Sequence, residues 1–306
     1  MPPTERSPSG SQDPDPRVAG VESTGNAEMV HFTGAGVQLT GERRGAENSS
    51  GTVVLIHGGG QTRHSWGRTA ERLAGSGWTT IAVDLRGHGD SEWDSGGDYS
   101  LDAFVGDVLA VVETLDSAPV LVGASIGGIA SLVTAGEHPG IARALVLVDV
   151  VPSVEPAGVE RIRGFLTAHH DGFGSLDEVA DAIAAYTPHR RRSRNLEGLK
   201  KNVRQRPDGR WYWHWDPAFI RIDDEPARHA PRERLEAAAA ALTIPTMIVR
   251  GGESDVVSDA GIAHMLELVP SAEYVYVPAA GHMVAGDDND VFAGYLDTFL
   301  SRLRPE

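Results

Sequence analysis

Pro119-Val120-Leu121-Val122-Gly123-Ala124-Ser125-Ile126-Gly127-Gly128 sets one serine between two glycines, directly after an apolar β-branched run and directly before a segment of helical pattern. This is the pattern of a nucleophile elbow, a strand-to-helix turn sharp enough to hold the serine in a strained backbone conformation. A side chain at either flanking glycine would collide with the adjoining strand or helix. Strain of this kind lifts Oγ to the top of a sheet. It also aims the first free N–H groups of the following helix at any negative charge that develops beside that oxygen.

Working outward, short apolar runs recur with helical patterns between them, the signature of βαβ units and a mostly parallel sheet. Six stand out: 52–56, 79–83, 120–122, 144–148, 246–249 and 274–277. Several are apolar at nearly every position, as strands covered on both faces are, while 29–32 and 37–40 predict an antiparallel hairpin at the edge. The regularity breaks after Asp149. About 95 residues then pass without a strand pattern, too many for one crossover, so they predict a separate helical unit. Within it, Ser175-Leu176-Asp177-Glu178 is a capping box followed by the stripe Leu176, Val179, Ile183 and Tyr186. Val159, Ile162, Phe165 and Leu166 make a second stripe, and Leu196, Leu199 and Val203 predict a third helix. Arg232–Leu242 leads back toward the sheet. The expected division is a disordered leader over 1–26, a core over 27–150 and 236–306, and a helical cap over 151–235 above the carboxyl ends of the strands, where such sheets bind ligands.

Composition narrows the function classes. Lys plus Arg number 27 against 43 Asp plus Glu, and the resulting charge of −16 repels nucleic acid and anionic membrane surfaces. The one basic stretch, His189-Arg190-Arg191-Arg192-Ser193-Arg194, reads as a solvated helix face. With no cysteine, disulfide and thiolate chemistry are excluded. The first 26 residues lack the apolar stretch of a secretory signal, and no run approaches the ~20 apolar residues of a membrane span. A soluble, cytoplasmic protein with a small-molecule substrate is the expectation. Tyr274, Tyr276 and the segment 291–300 read as core, with a homodimer surface the alternative use.

A serine hydroxyl needs a base within hydrogen-bond reach and a third group to orient that base. Of the twelve histidines, only His282, in Ala279-Ala280-Gly281-His282-Met283, follows the last strand. Asp255, in Gly251-Gly252-Glu253-Ser254-Asp255, follows the strand before it and is assigned as the acid. Asp149 and Glu253 are the competing carboxylates, with Asp149 read as a structural residue where the cap begins. His57-Gly58-Gly59-Gly60 ends the first long apolar strand, and its glycines allow close backbone approach to a substrate. Gly59 N–H and Ile126 N–H are assigned as oxyanion donors, with Gly60 the alternative to Gly59. Half of the six tryptophans lie in Trp211-Tyr212-Trp213-His214-Trp215. Trp211, Trp213 and His214, with Gly60 and Met283, are the candidate substrate-binding residues, although packing of the cap would use the same aromatic side chains.

The combination of His57-Gly58-Gly59-Gly60, Asp84-Leu85-Arg86-Gly87-His88-Gly89-Asp90-Ser91, the serine elbow and Gly281-His282 resembles the α/β-hydrolase superfamily over roughly residues 28–302. The resemblance implies a mostly parallel eight-stranded sheet with helices on both faces and a helical cap inserted after strand 6. It is similar to the capped branch of esterases, haloperoxidase-like perhydrolases, C–C hydrolases and epoxide hydrolases. Epoxide hydrolases and haloalkane dehalogenases of that branch carry an aspartate at the elbow, and Ser125 argues against both chemistries. In the resembling fold the counterpart of His57 braces the oxyanion loop, some members supply the acid from the position of Asp149, and Asp84, Arg86 and His88 belong to the scaffold. No metal-ligand spacing or phosphate loop is found, so no metal or cofactor is implied. The expected activity is hydrolysis of a small carboxylic ester through an acyl-enzyme. A perhydrolase or a C–C hydrolase with the same triad, and a non-catalytic ligand receptor, are the alternatives.

Overall fold

The computed structural model describes residues 22–24, 27–48, 50–188, 191–220, 231–278, 280–282, 284 and 290–303. Its centre is a run of six parallel strands: β4 (Thr52–Ile56), β5 (Thr79–Val83), β6 (Val120–Ala124), β7 (Ala144–Val148), β10 (Thr246–Gly251) and β11 (Glu273–Val277). Three antiparallel strands, β1 (Glu22–Thr24), β2 (Ala27–Thr33) and β3 (Gln38–Arg44), extend one edge, in the order β1-β2-β3-β5-β4-β6-β7-β10-β11. The eight predicted strands are all present. Glu22–Thr24, expected within the disordered leader, instead pairs antiparallel with β2 as a ninth strand. Residues 1–21, 25 and 26 lie outside the described residues.

Both faces of the sheet are covered, which is why the central strands can be continuously apolar. The side chains of 120–122 and 144–148 have no solvent exposure. On one face α1 (Gly67–Gly75) and α8 (Asp290–Ser301) contribute Leu73, Phe292, Leu296 and Phe299. On the other, α2 (Leu101–Val112), α3 (Ser125–Glu137), α6 (Arg232–Ala240) and α7 (Asp259–Leu268) contribute Phe104, Leu132, Leu235 and Met265. Full burial of a side chain of this size contributes about 1.5–3 kcal/mol. The helix α6 packs so closely on α3 that a Cβ on Gly136 would strike the Ala238 backbone. Tyr274 and Tyr276 are 39% and 46% exposed and therefore not core. Among the described residues no helix is long and apolar enough to cross a membrane.

The insertion between β7 and α6 has its own apolar cluster, with Leu166, Phe173, Val179, Leu199, Val203, Trp213 and Trp215 all buried. It contains α4 (Pro156–Thr167) and α5 (Leu176–Tyr186), the latter capped by Ser175 Oγ accepting from Glu178 N–H. The predicted third helix is absent. Glu197–Lys201 is a short 3₁₀ turn, and Val203 opens β8 (Val203–Gln205), which pairs antiparallel with β9 (Trp211–Trp213). Pro207-Asp208-Gly209 supplies the turn, with Gly209 at φ +81°. Arg191–Arg194 lies outside any helix, and Arg192 binds back to Asp177 and Asp181 of α5.

Candidate active site

The elbow is built from backbone contact. Ser125 has φ +48°, a left-handed conformation that costs a non-glycine residue about 1–3 kcal/mol. A Cβ on Gly123 would lie 2.5 Å from Gly127 O, and one on Gly128 would lie 2.5 Å from Val150 Cγ2. Glycine at these positions is what lets β6 turn directly into α3. Ser125 and Ile126 then occupy the first turn of α3, where N–H groups have no intrahelical acceptor.

His282 follows β11 and is joined through Nδ1 to Asp149 Oδ2 at 2.6 Å. The carboxylate of Asp149 is fully buried at the end of β7. It also accepts from Ser254 Oγ at 2.5 Å and Gly251 N–H at 3.2 Å. A carboxylate removed from water needs such donors. Asp149 has φ +55°, so two of the three described non-glycine residues with positive φ are Ser125 and the carboxylate on His282.

The assignment of Asp255 as that carboxylate is corrected by this geometry. Asp255 is instead gripped by Arg161 of α4, with Nη2 at 2.7 Å from Oδ1 and Nε on Oδ2. Hydrogen bonding to that guanidinium holds the Asp255 carboxyl below its ordinary range. Arg161 also donates to Tyr186 O at 3.1 Å and lies over the Tyr186 ring. Together with Thr187, Pro188, Glu253, Gly281 and His282, these residues surround a cavity of about 190 Å³.

Two buried histidines of the core hold the glycine loop after β4. His57 Nδ1 donates to Gly58 O at 2.7 Å while Nε2 accepts from Leu85 N–H at 3.0 Å. His88 Nδ1 donates to Arg86 O at 2.9 Å while Nε2 accepts from Gly60 N–H at 3.1 Å. Gly58 N–H is taken by Gln61 Oε1. The N–H groups of Gly58 and of Gly60, the alternative oxyanion donor, are therefore both engaged. Where a Gly59 side chain would be stands Phe219, 3.2 Å away, and over Gly60 stand Leu166 and Trp215.

The aromatic residues above the loop are thus not all those singled out by sequence. Trp213 stacks on Trp215 and meets Phe173 edge-on inside the insertion, and Trp211 is bridged to Phe173 through its backbone. His214 is buried and bonded to backbone, and Met283 lies outside the described residues. Leu166, on α4, and Trp215 and Phe219, which follow β9, were missed because only the folded insertion shows which of its apolar side chains reach the glycines. Arg86 and Asp84 are scaffold: Arg86 makes a bidentate pair with buried Asp107, and Asp84 receives Arg63.

Each of these rings accepts a backbone N–H, so each is held neutral. Burial pushes His57 down to about 4 and His88 down to about 3. Unfolding returns them to about 6.5, so at mildly acidic pH the unfolded chain binds more protons and stability rises with pH. Their contribution is complete above about pH 6.5 and is lost as pH falls toward 4 and then 3. The two together are expected to remove about 4 kcal/mol between pH 7 and pH 5. Urea midpoints across that range will check this, and a flat profile would contradict it.

A model of the α/β hydrolase fold matches residues 51–288. Esterase Rv0045c of Mycobacterium tuberculosis is 33% identical over 262 residues, covering 82% of this chain and 84% of its own. The 3-hydroxybutyrate-oligomer hydrolase of Cupriavidus necator is 30% identical, covering 75% and 82%. The crystal structure of an α/β hydrolase from Novosphingobium aromaticivorans superposes with a TM-score of 0.78 at 25% identity, covering 92% of this chain and all of that one. The chain belongs to the α/β hydrolase fold family and is an enzyme.

Proposed function

We propose that the protein is a cofactor-free serine hydrolase that cleaves a small carboxylic ester through an acyl-enzyme. Ser125 is the nucleophile, His282 the base and Asp149 the acid partner, beneath a cap formed by the insertion. The observation that carries this reading is the 2.6 Å contact of His282 Nδ1 with the buried Asp149 carboxylate, on a histidine that follows the last strand. It is supported by the strained serine at a helix start and by likeness to a protein named an esterase.

In this mechanism Asp149 holds the hydrogen of His282 on Nδ1, leaving Nε2 to take the Ser125 proton as Oγ attacks the ester carbonyl. The carbonyl oxygen gains the negative charge and is held by the N–H groups of Gly59 and Ile126. Collapse expels the alcohol, which takes its proton from the imidazolium. Water, deprotonated by His282, then attacks the acyl-enzyme, and collapse of the second tetrahedral intermediate returns the proton to Ser125 and releases the acid. Leu166, Trp215 and Phe219 around the glycines favour an apolar substrate group there.

The test is turnover of p-nitrophenyl esters of increasing chain length, with pre-steady-state release of nitrophenol and fluorophosphonate labelling read by peptide mass. One equivalent of burst and a single adduct on Ser125 are expected. No ester turnover and no adduct would overturn the reading in favour of C–C cleavage or ligand reception. Halide-dependent bromination with peroxide would identify a perhydrolase.

A further inference from the structure

We propose that His214, from the cap, is a positioning residue for the oxyanion hole; this rests on the assignment of Gly59 N–H as an oxyanion donor. His214 is 2% exposed and lies against the loop that follows β5. Its Nδ1 accepts from Gly89 N–H at 2.8 Å, which places the ring hydrogen on Nε2, and that atom faces Gly60 O at 3.4 Å. Gly60 is thereby held from two sides. The core histidine His88 takes its N–H, and the cap histidine faces its carbonyl. With φ +72° and no side chain, Gly60 has few other constraints on its peptide groups, and it is the residue after the donor.

The ring itself has no freedom to turn. His88 lies 5.8 Å from it, and Trp215 packs perpendicular at 5.3 Å. The segment just past β9 that carries it, and the partner strand β8, are both tied to the same loop: Asp216 N–H donates to Gly87 O at 2.8 Å, and Arg204 of β8 donates to Gly89 O at 3.0 Å. Tyr99 Oη closes the attachment by donating to Asp216 Oδ2 at 2.5 Å. Burial first, and then the neighbouring His88, His57 and Arg204, keep His214 well below its ordinary value, so the ring stays in the neutral form that can both accept and donate. His214 thereby links docking of the cap to placement of the Gly59 donor.

The experiment compares wild type with His214→Ala, His214→Asn and Ser125→Ala. Readouts are kcat and KM for a p-nitrophenyl ester and the inhibition constants of an alkyl boronic acid, which forms a tetrahedral anion on serine, and of a neutral amide analogue. Asparagine keeps an acceptor for Gly89 N–H but does not reach Gly60. Both His214 variants are expected to lower kcat about 10- to 100-fold, less than outright loss of a donor. Boronate affinity should fall in parallel, while KM and amide affinity move less than about threefold. If the alanine variant does not fold, the asparagine variant decides. Unchanged kcat and boronate affinity in a folded variant, or a change confined to KM and melting temperature, overturns the proposal. Turnover retained in Ser125→Ala would instead sink the serine mechanism itself.

Discussion

Ser125→Ala is expected to lower kcat for ester hydrolysis by about 10⁵- to 10⁶-fold while the protein keeps its fold and its affinity for product. The loss is this large because nucleophile and base act as a unit: without Oγ, His282 has no proton to take and no acyl-enzyme forms. The residual rate reflects the two N–H donors and substrate binding alone, which still exceed water by about 10³–10⁴ in comparable sites. Alanine also relieves nothing in the backbone, since position 125 remains at positive φ between the same glycines. Stopped-flow loss of the nitrophenol burst, with an unchanged melting temperature, is the measurement. A fall of less than a hundredfold would place the nucleophile elsewhere.

Asp149→Asn is expected to lower kcat by about 10⁴-fold, whereas Asp255→Asn should change it by less than tenfold. Asparagine at 149 keeps the shape but presents an amide that can satisfy His282 only by donating to Nδ1, which puts the ring hydrogen on Nε2 and removes the base. Gly251 N–H, which serves Oδ1, keeps the amide oxygen on that side and so turns the NH2 toward His282, while Ser254 Oγ, which now donates to the Oδ2 that meets His282, can rotate to accept instead. Asparagine at 255 loses only the ionic pairing with Arg161, a half-exposed contact of the kind that contributes little to stability. Steady-state kinetics on both variants, prepared together, separate the assignments. The reverse order of effects would restore Asp255 to the acid position.

Much of this arrangement was legible from the chain. Gly123 and Gly127, on either side of Ser125, prescribe the elbow because a Cβ at either position would strike backbone. His282 was legible because it alone among the histidines follows the last strand, and the buried strands were legible because they are apolar on both faces. The acid was not. Asp149 and Asp255 end neighbouring parallel strands, β7 and β10, and whether a carboxylate there meets His282 or a cap arginine depends on where α4 docks. One signal was available: Asp149 stands alone among Val148, Val150 and Val151, and a carboxylate in such a run must find a buried partner. The hairpin in the cap was missed because its strands are three residues long, too short for alternation to outweigh the helical stripe before them.

The pairing of Arg161 with Asp255 leaves the molecule with a spare. Two carboxylates follow adjacent strands near one imidazole: Asp149 meets it, and Asp255 is held by a guanidinium instead. A lineage carrying this core could move its acid from one strand to the next without rebuilding a loop, by losing the arginine before losing the first aspartate. The same order of steps offers a route for engineering: Arg161→Leu frees the reserve, and only then does position 149 become open to change.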